Sequence, residues 1–107
     1  MLSSQVLLDV VKHEVKSFGV FTGKGRFTVQ IRFDAFAARL VGERTWHASQ
    51  KMKPLGNGEL EMTLLLGSLE EIERWILSWG SHARVLKPAR LVGSIRRASD
   101  SVRRFYE

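Results

Sequence analysis

At 107 residues the chain has material for one domain and a single hydrophobic core. Its composition, 44% hydrophobic and 26% charged, is ordinary for a globular domain, and the absence of cysteine excludes disulfides, thiolate metal sites and cysteine nucleophiles. The net charge of +6 is segregated: residues 1–33 carry five Lys/Arg against two acids (+3), residues 34–83 five against seven (−2), and residues 84–107 seven against two (+5). A polyanion would be drawn to the two ends of the chain rather than to its middle. No apolar run is long enough to span a bilayer, and the start Met1-Leu-Ser-Ser-Gln5 lacks the basic region and cleavage pattern of a secretory signal, so a cytoplasmic location is expected.

In chain order, Ser4 to Ser17 places Val6, Leu7, Val10 and Val11 at helical spacing, which predicts an N-terminal helix. Gly19, Gly23 and Gly25 make Phe18 to Gly25 a linker, so residues 1–25 are read apart from a domain over 26–107. Phe27, Val29, Ile31 and Phe33 alternate with Thr28, Gln30 and Arg32, the pattern of a strand buried on one face. Asp34 is placed to cap a short helix that would bury Phe36, Ala37 and Leu40 and end at Gly42. Ser49 to Pro54 reads as a second strand, and Gly56-Asn57-Gly58 supplies residues that tolerate positive φ in a hairpin turn.

The third strand points Leu60, Met62, Leu64 and Leu66 inward. Ser68 and Glu71 have capping-box spacing, opening a helix with Leu69, Ile72, Ile76 and Trp79 on one stripe and Glu70 and Arg74 as an i,i+4 pair. Gly80 ends it. Arg84 to Leu86 is a short strand, and Pro88 opens a last helix with Leu91, Ile95, Ala98, Val102 and Phe105 in line. The order β-α-β-β-α-β-α is that of an α+β, ferredoxin-like antiparallel sheet with two helices on one face and a C-terminal helix appended. Such one-sided cover is why the strands alternate instead of being apolar throughout.

Catalytic constellations do not emerge. His13, His47 and His82 fall in three separate elements without metal-ligand spacing, no serine sits in a nucleophile elbow, and Gly23-Lys-Gly25 is too short for a phosphate loop. The chain is therefore expected to be no enzyme and to need no metal or cofactor. Binding has two candidate surfaces. One is a polar sheet face with Arg26, Thr28, Gln30 and Arg32, and with Lys51 and Lys53 beside them. Ferredoxin-like sheets often carry RNA or single-stranded DNA on such a face, but the aromatics here alternate toward the helices, and a dimer or domain interface suits the face equally well.

The other candidate is the last helix, where Arg90, Arg97 and Arg104 form one row and Arg96 and Arg103 a second. Guanidinium forks suit phosphates, although a solvated helix face has the same composition. Trp46, His47, Ser49 and Gln50, with Arg44, mix an aromatic with hydrogen-bonding groups ahead of a strand. They either fix a loop on the core or form a surface for a ligand or another domain. Trp75 and Trp79 are read as core rather than as a base-stacking platform.

The run Glu43-Arg-Thr-Trp-His-Ala-Ser-Gln50 closely resembles a signature of the C-terminal extension (WCX) domain of WYL-type bacterial transcriptional regulators, with Ala48 where the family usually has proline. Ser17–Gly23 is similar to the family's junction leaving the WYL domain, Phe27–Phe33 to its first strand, and Glu70–Gly80 and His82–Pro88 to its second helix and last strand. The resemblance covers nearly the whole chain. It implies a regulatory module that senses a ligand or dimerises, with WYL and helix-turn-helix domains as partners, a homodimer expected, and single-stranded nucleic acid or another anion as a candidate effector. The competing implication is a structural dimerisation or interdomain adaptor without a ligand. Neither a Trp-Tyr-Leu motif nor a helix-turn-helix is present, so the resemblance implies a fragment, a truncated product or a stand-alone module.

Overall fold

A computed structural model describes residues 27–107; the expected N-terminal helix, the linker and Arg26 lie outside the described residues. Strand β1 (Phe27–Phe33) leads through Asp34 into helix α1 (Ala35–Val41), followed by β2 (Lys51–Pro54), β3 (Leu60–Leu66), helix α2 (Glu70–Leu77), β4 (Ala83–Lys87) and helix α3 (Ala89–Arg104). The four strands form one sheet in the order β2-β3-β1-β4, with every neighbouring pair antiparallel. This is an α+β domain.

The alternation in β1 and β3 sets the layering. Val29 pairs with Leu64, Ile31 with Met62 and Phe33 with Leu60, and all six are buried. They join Ala37 and Val41 of α1, Ile72, Trp75 and Ile76 of α2, Trp46, Trp79 and Leu91 of α3 in one core. Phe33 meets Trp75 and Trp79 edge-on at centroid distances of 5.8 and 6.2 Å, and Trp46 lies 4.9 Å from Trp75. Each such pair adds about 0.5–1.5 kcal/mol beyond area burial. Both tryptophans of α2 and its end are thus core, with Trp75 fully buried and Trp79 6% exposed.

Turns and caps follow the local chemistry in most places. Asn57 (φ 64°) and Gly58 (φ 78°) take the left-handed conformation that the Gly-Asn-Gly run permits, closing the β2–β3 hairpin. The Asp34 carboxylate accepts the Ala37 N–H at 3.0 Å and caps α1. Gly80, at φ 61°, follows α2.

Four expectations need correction. In α1 the buried pair is Ala37 and Val41, whereas Phe36 and Leu40 are 44% and 46% exposed. A short helix held close to a sheet buries its small side, and the Phe36 ring packs instead on His82 at 4.6 Å. Strand β2 starts at Lys51, not Ser49, because Ser49 and Gln50 are engaged through their side chains. Helix α2 starts at Glu70 with Leu69 at the N-cap and no side-chain cap; the Ser68 hydroxyl donates to the Glu71 carboxylate at 3.3 Å, so no capping box forms. Finally, the apolar line of α3 is buried only at its start. Leu91 is 1% exposed, but Val102 and Phe105 reach 54% and 82% as the helix outruns the sheet.

Candidate binding surfaces

The loop from Glu43 to Gln50 has no regular secondary structure, yet its polar groups satisfy one another. Trp46 is buried because its ring fills the space between α1 and Trp75, and its Nε1–H donates to the Val41 carbonyl at 2.8 Å, satisfying an acceptor at the end of α1. The Gln50 side-chain oxygen accepts the backbone N–H groups of Trp46 and His47, while its amide donates to the Arg44 carbonyl at 3.0 Å. One glutamine therefore fastens both ends of the loop.

Ser49 extends the sheet without being a strand residue. Its Oγ accepts the Leu65 N–H at 2.9 Å and lies 3.3 Å from the Leu65 carbonyl, standing in for the backbone of a longer β2. The Ser49 N–H donates to His47 Nδ1 at 3.0 Å, and its hydroxyl sits 2.7 Å from the same nitrogen. That pattern fits the His47 tautomer with the proton on Nε2. The single hydroxyl proton can serve His47 or the Leu65 carbonyl, not both. Of the five signature residues, Arg44 alone contributes only its backbone to these bonds, and its side chain is exposed.

The sheet face away from the core is basic. Strand pairing places Lys53, Glu61, Arg32 and Arg84 in one row across all four strands, and Lys51, Thr63, Gln30 and Lys87 in the next. The two rows hold five cations and one carboxylate, Glu61, which lies 3.4 Å from Arg32 Nη2. Thr28 and the half-exposed Leu65 form the third row, and these rows contain no aromatic residue. Neighbouring strands are about 4.8 Å apart and alternate residues about 7 Å apart, so Lys51 and Lys53 stand at roughly the spacing of successive phosphates in an extended strand.

On α3, Arg90, Arg96, Arg97, Arg103 and Arg104 are all exposed. Arg97 donates to Ser94 at 3.3 Å, and Arg103 lies 3.8 Å from Asp100 and 3.7 Å from Glu107. Arg103 is thereby partly neutralised. The helix and the sheet face are separate surfaces, so the arginines singled out in the sequence are not gathered into one site.

Three groups at a corner of the sheet were not legible beforehand. Arg84 faces Arg32 across the β1–β4 pair, Glu59 precedes β3, and His82 Nδ1 meets Asp34 Oδ2 at 2.7 Å. With Ser81 they line a cleft of about 200 Å³. The outward parity of Arg84 on its strand was the available signal; the Asp34–His82 pair, 48 residues apart, left none. The Ala37 N–H and the His82 ring both stabilise the Asp34 carboxylate and hold its pKa below the ordinary 3.8.

Among the described residues no group of three or more His, Cys, Asp or Glu is placed to hold a metal ion, and no helix is long and apolar enough to cross a membrane. The features that stand out are surfaces: a one-sided antiparallel sheet with a basic open face, an internally fastened loop and a projecting basic helix. The WCX domain family model matches residues 25–101, and the chain belongs to that family, which implies association with WYL-type regulators. A comparison with the curated proteins finds no match.

Proposed function

We propose that this domain is a binding, non-catalytic module of a WYL-type transcriptional regulator in the cytoplasm. It takes an anionic, single-stranded nucleic-acid-like effector on the open face of its sheet and so biases a DNA-binding domain elsewhere in the regulator. The strand order and all-antiparallel pairing support a ferredoxin-like platform. The observation that carries the reading is the two-row array of Lys51, Lys53, Arg32, Arg84 and Lys87, in which Glu61 is the one acid, with Asp34 and Glu59 bordering its Arg32–Arg84 corner. With no aromatic in these rows, affinity comes from phosphate contacts and hydrogen bonds to Gln30 and Thr63, which makes it salt-dependent and tolerant of sequence.

Fluorescence anisotropy with short single-stranded DNA, and duplex as control, tests the proposal. Four phosphate contacts predict a salt slope of roughly −3, a fall of about 50-fold in affinity between about 50 and 200 mM salt. Lys51→Gln with Lys53→Gln should flatten that slope by about 1.4, and Arg96→Ala with Arg103→Ala reports whether α3 shares the load. No binding, or equal weak binding to duplex, sinks this reading.

A second reading has its own support: a dimerisation or interdomain adaptor. The last turn of α3 and the residues just after it present Val102, Phe105 and Tyr106 to solvent, the latter two at 82% and 85% exposure. Apolar side chains so placed suit a partner surface.

A further inference from the structure

The cleft at the corner of the sheet carries both signs of charge, and most of it is already accounted for. The Asp34 carboxylate is engaged by the Ala37 N–H and the His82 ring, and Arg32 by Glu61 through Nη2 at 3.4 Å, although the buried Arg32 Nε has no hydrogen-bond partner among the described residues. Two charged groups remain on its walls, Arg84 and Glu59, and neither has an ion-pair partner among the described residues. An arginine and a glutamate without ion-pair partners therefore line one shallow opening. Ser81 adds a hydroxyl beside them.

The mixture restricts what fits. Phosphate dianions would meet two carboxylates, Asp34 and Glu59, and a metal cation would meet two guanidiniums, Arg32 and Arg84. A ligand with one charge of each sign is opposed by neither. About 200 Å³ lies below the roughly 300–1,000 Å³ of drug-sized sites but is enough for a small polar molecule.

We propose that the cleft binds a small zwitterion of the amino-acid type, its carboxylate on Arg84 and Ser81 and its ammonium on Glu59. Arginine's fork suits a carboxylate bidentately, and the ammonium supplies the cation that Glu59 lacks. The site would let the domain report a free amino acid. The cleft shares Arg84 with the basic rows of the sheet face, whereas Glu59 belongs to it alone and Lys51 and Lys53 lie outside it, so Glu59→Gln and the Lys51→Gln, Lys53→Gln pair tell the two sites apart.

Thermal unfolding of the 107-residue chain, followed by calorimetric titration of any responder, tests the site. Each of the common amino acids is offered at roughly 10 mM and constant ionic strength, with propionate, ethylammonium and an N-acetyl amino acid as controls; this concentration registers a Kd as weak as about 1 mM. The expected result is a rise in Tm of about 5 °C or more with at least one amino acid and none with the controls. Arg84→Gln and Glu59→Gln should each weaken binding at least about tenfold, with Arg84→Lys intermediate and far-UV circular dichroism unchanged. The proposal is overturned if no amino acid raises Tm, if propionate or the N-acetyl compound does as well, or if all three folded variants bind like the parent chain.

Discussion

Ser49 shows how a polar residue can replace backbone. Its hydroxyl brackets the N–H and carbonyl of Leu65, and its N–H fixes the His47 ring. In Ser49→Ala the Leu65 amide loses its acceptor, although water can reach this exposed site. The expected cost is about 1 kcal/mol, seen as a lower urea midpoint with unchanged m-value. Arg44→Ala removes only an exposed side chain and should stay within about 0.5 kcal/mol. The contrast separates two roles within one signature. If Arg44→Ala destabilises as much as Ser49→Ala, the division of labour drawn from the hydrogen bonds is wrong.

At the scale of elements, the N-terminus of α1 couples a cap to a tertiary contact, since Asp34 serves both Ala37 and His82. Because the folded pKa of Asp34 is lowered, its contribution is fully present above the ordinary value of 3.8 and is lost as pH falls through the lowered value. Asp34→Ala should therefore cost about 1 kcal/mol at neutral pH, and the gap to the parent chain should narrow on acidification below that value. Thermal unfolding at neutral pH and in acid reads this directly; a gap that widens in acid would refute the assignment.

The same helix marks the limit of what the sequence could say. Phe36, Ala37, Leu40 and Val41 offer two i,i+4 stripes about 100° apart, and hydrophobicity favours the bulkier one. The packed side is Ala37 and Val41, because Trp46 from the following loop and Phe33 from the sheet already fill the space. By contrast, β1 and β3 were legible, since a period of two assigns each side chain to a face without reference to the rest of the fold. The hairpin was legible for a similar reason: Asn57 and Gly58 meet a local conformational demand. Contacts across the chain, such as Asp34 with His82, have no local pattern to read.

At the scale of the molecule, α3 connects the two functional readings. Sixteen residues make a helix of about 24 Å, while five-residue β4 spans about 17 Å, so a long helix laid from the end of this sheet must overhang. The overhang holds Val102, Phe105 and Tyr106 beside Arg103 and Arg104, within the segment of the chain that carries the +5 surplus. If the domain is an adaptor, these side chains are covered by a partner, and the chain should self-associate reversibly with concentration. Sedimentation velocity across roughly a hundredfold concentration range decides this, with the doubly substituted Phe105→Ser, Tyr106→Ser chain as comparison. Both side chains are more than four-fifths exposed, so the variant should keep its stability to within about 0.5 kcal/mol per site. Dimers that dissociate in the variant favour the adaptor and place the interface at the end of α3. A monomer throughout, with binding to single strands intact, leaves the overhang as solvated helix and assigns function to the sheet face.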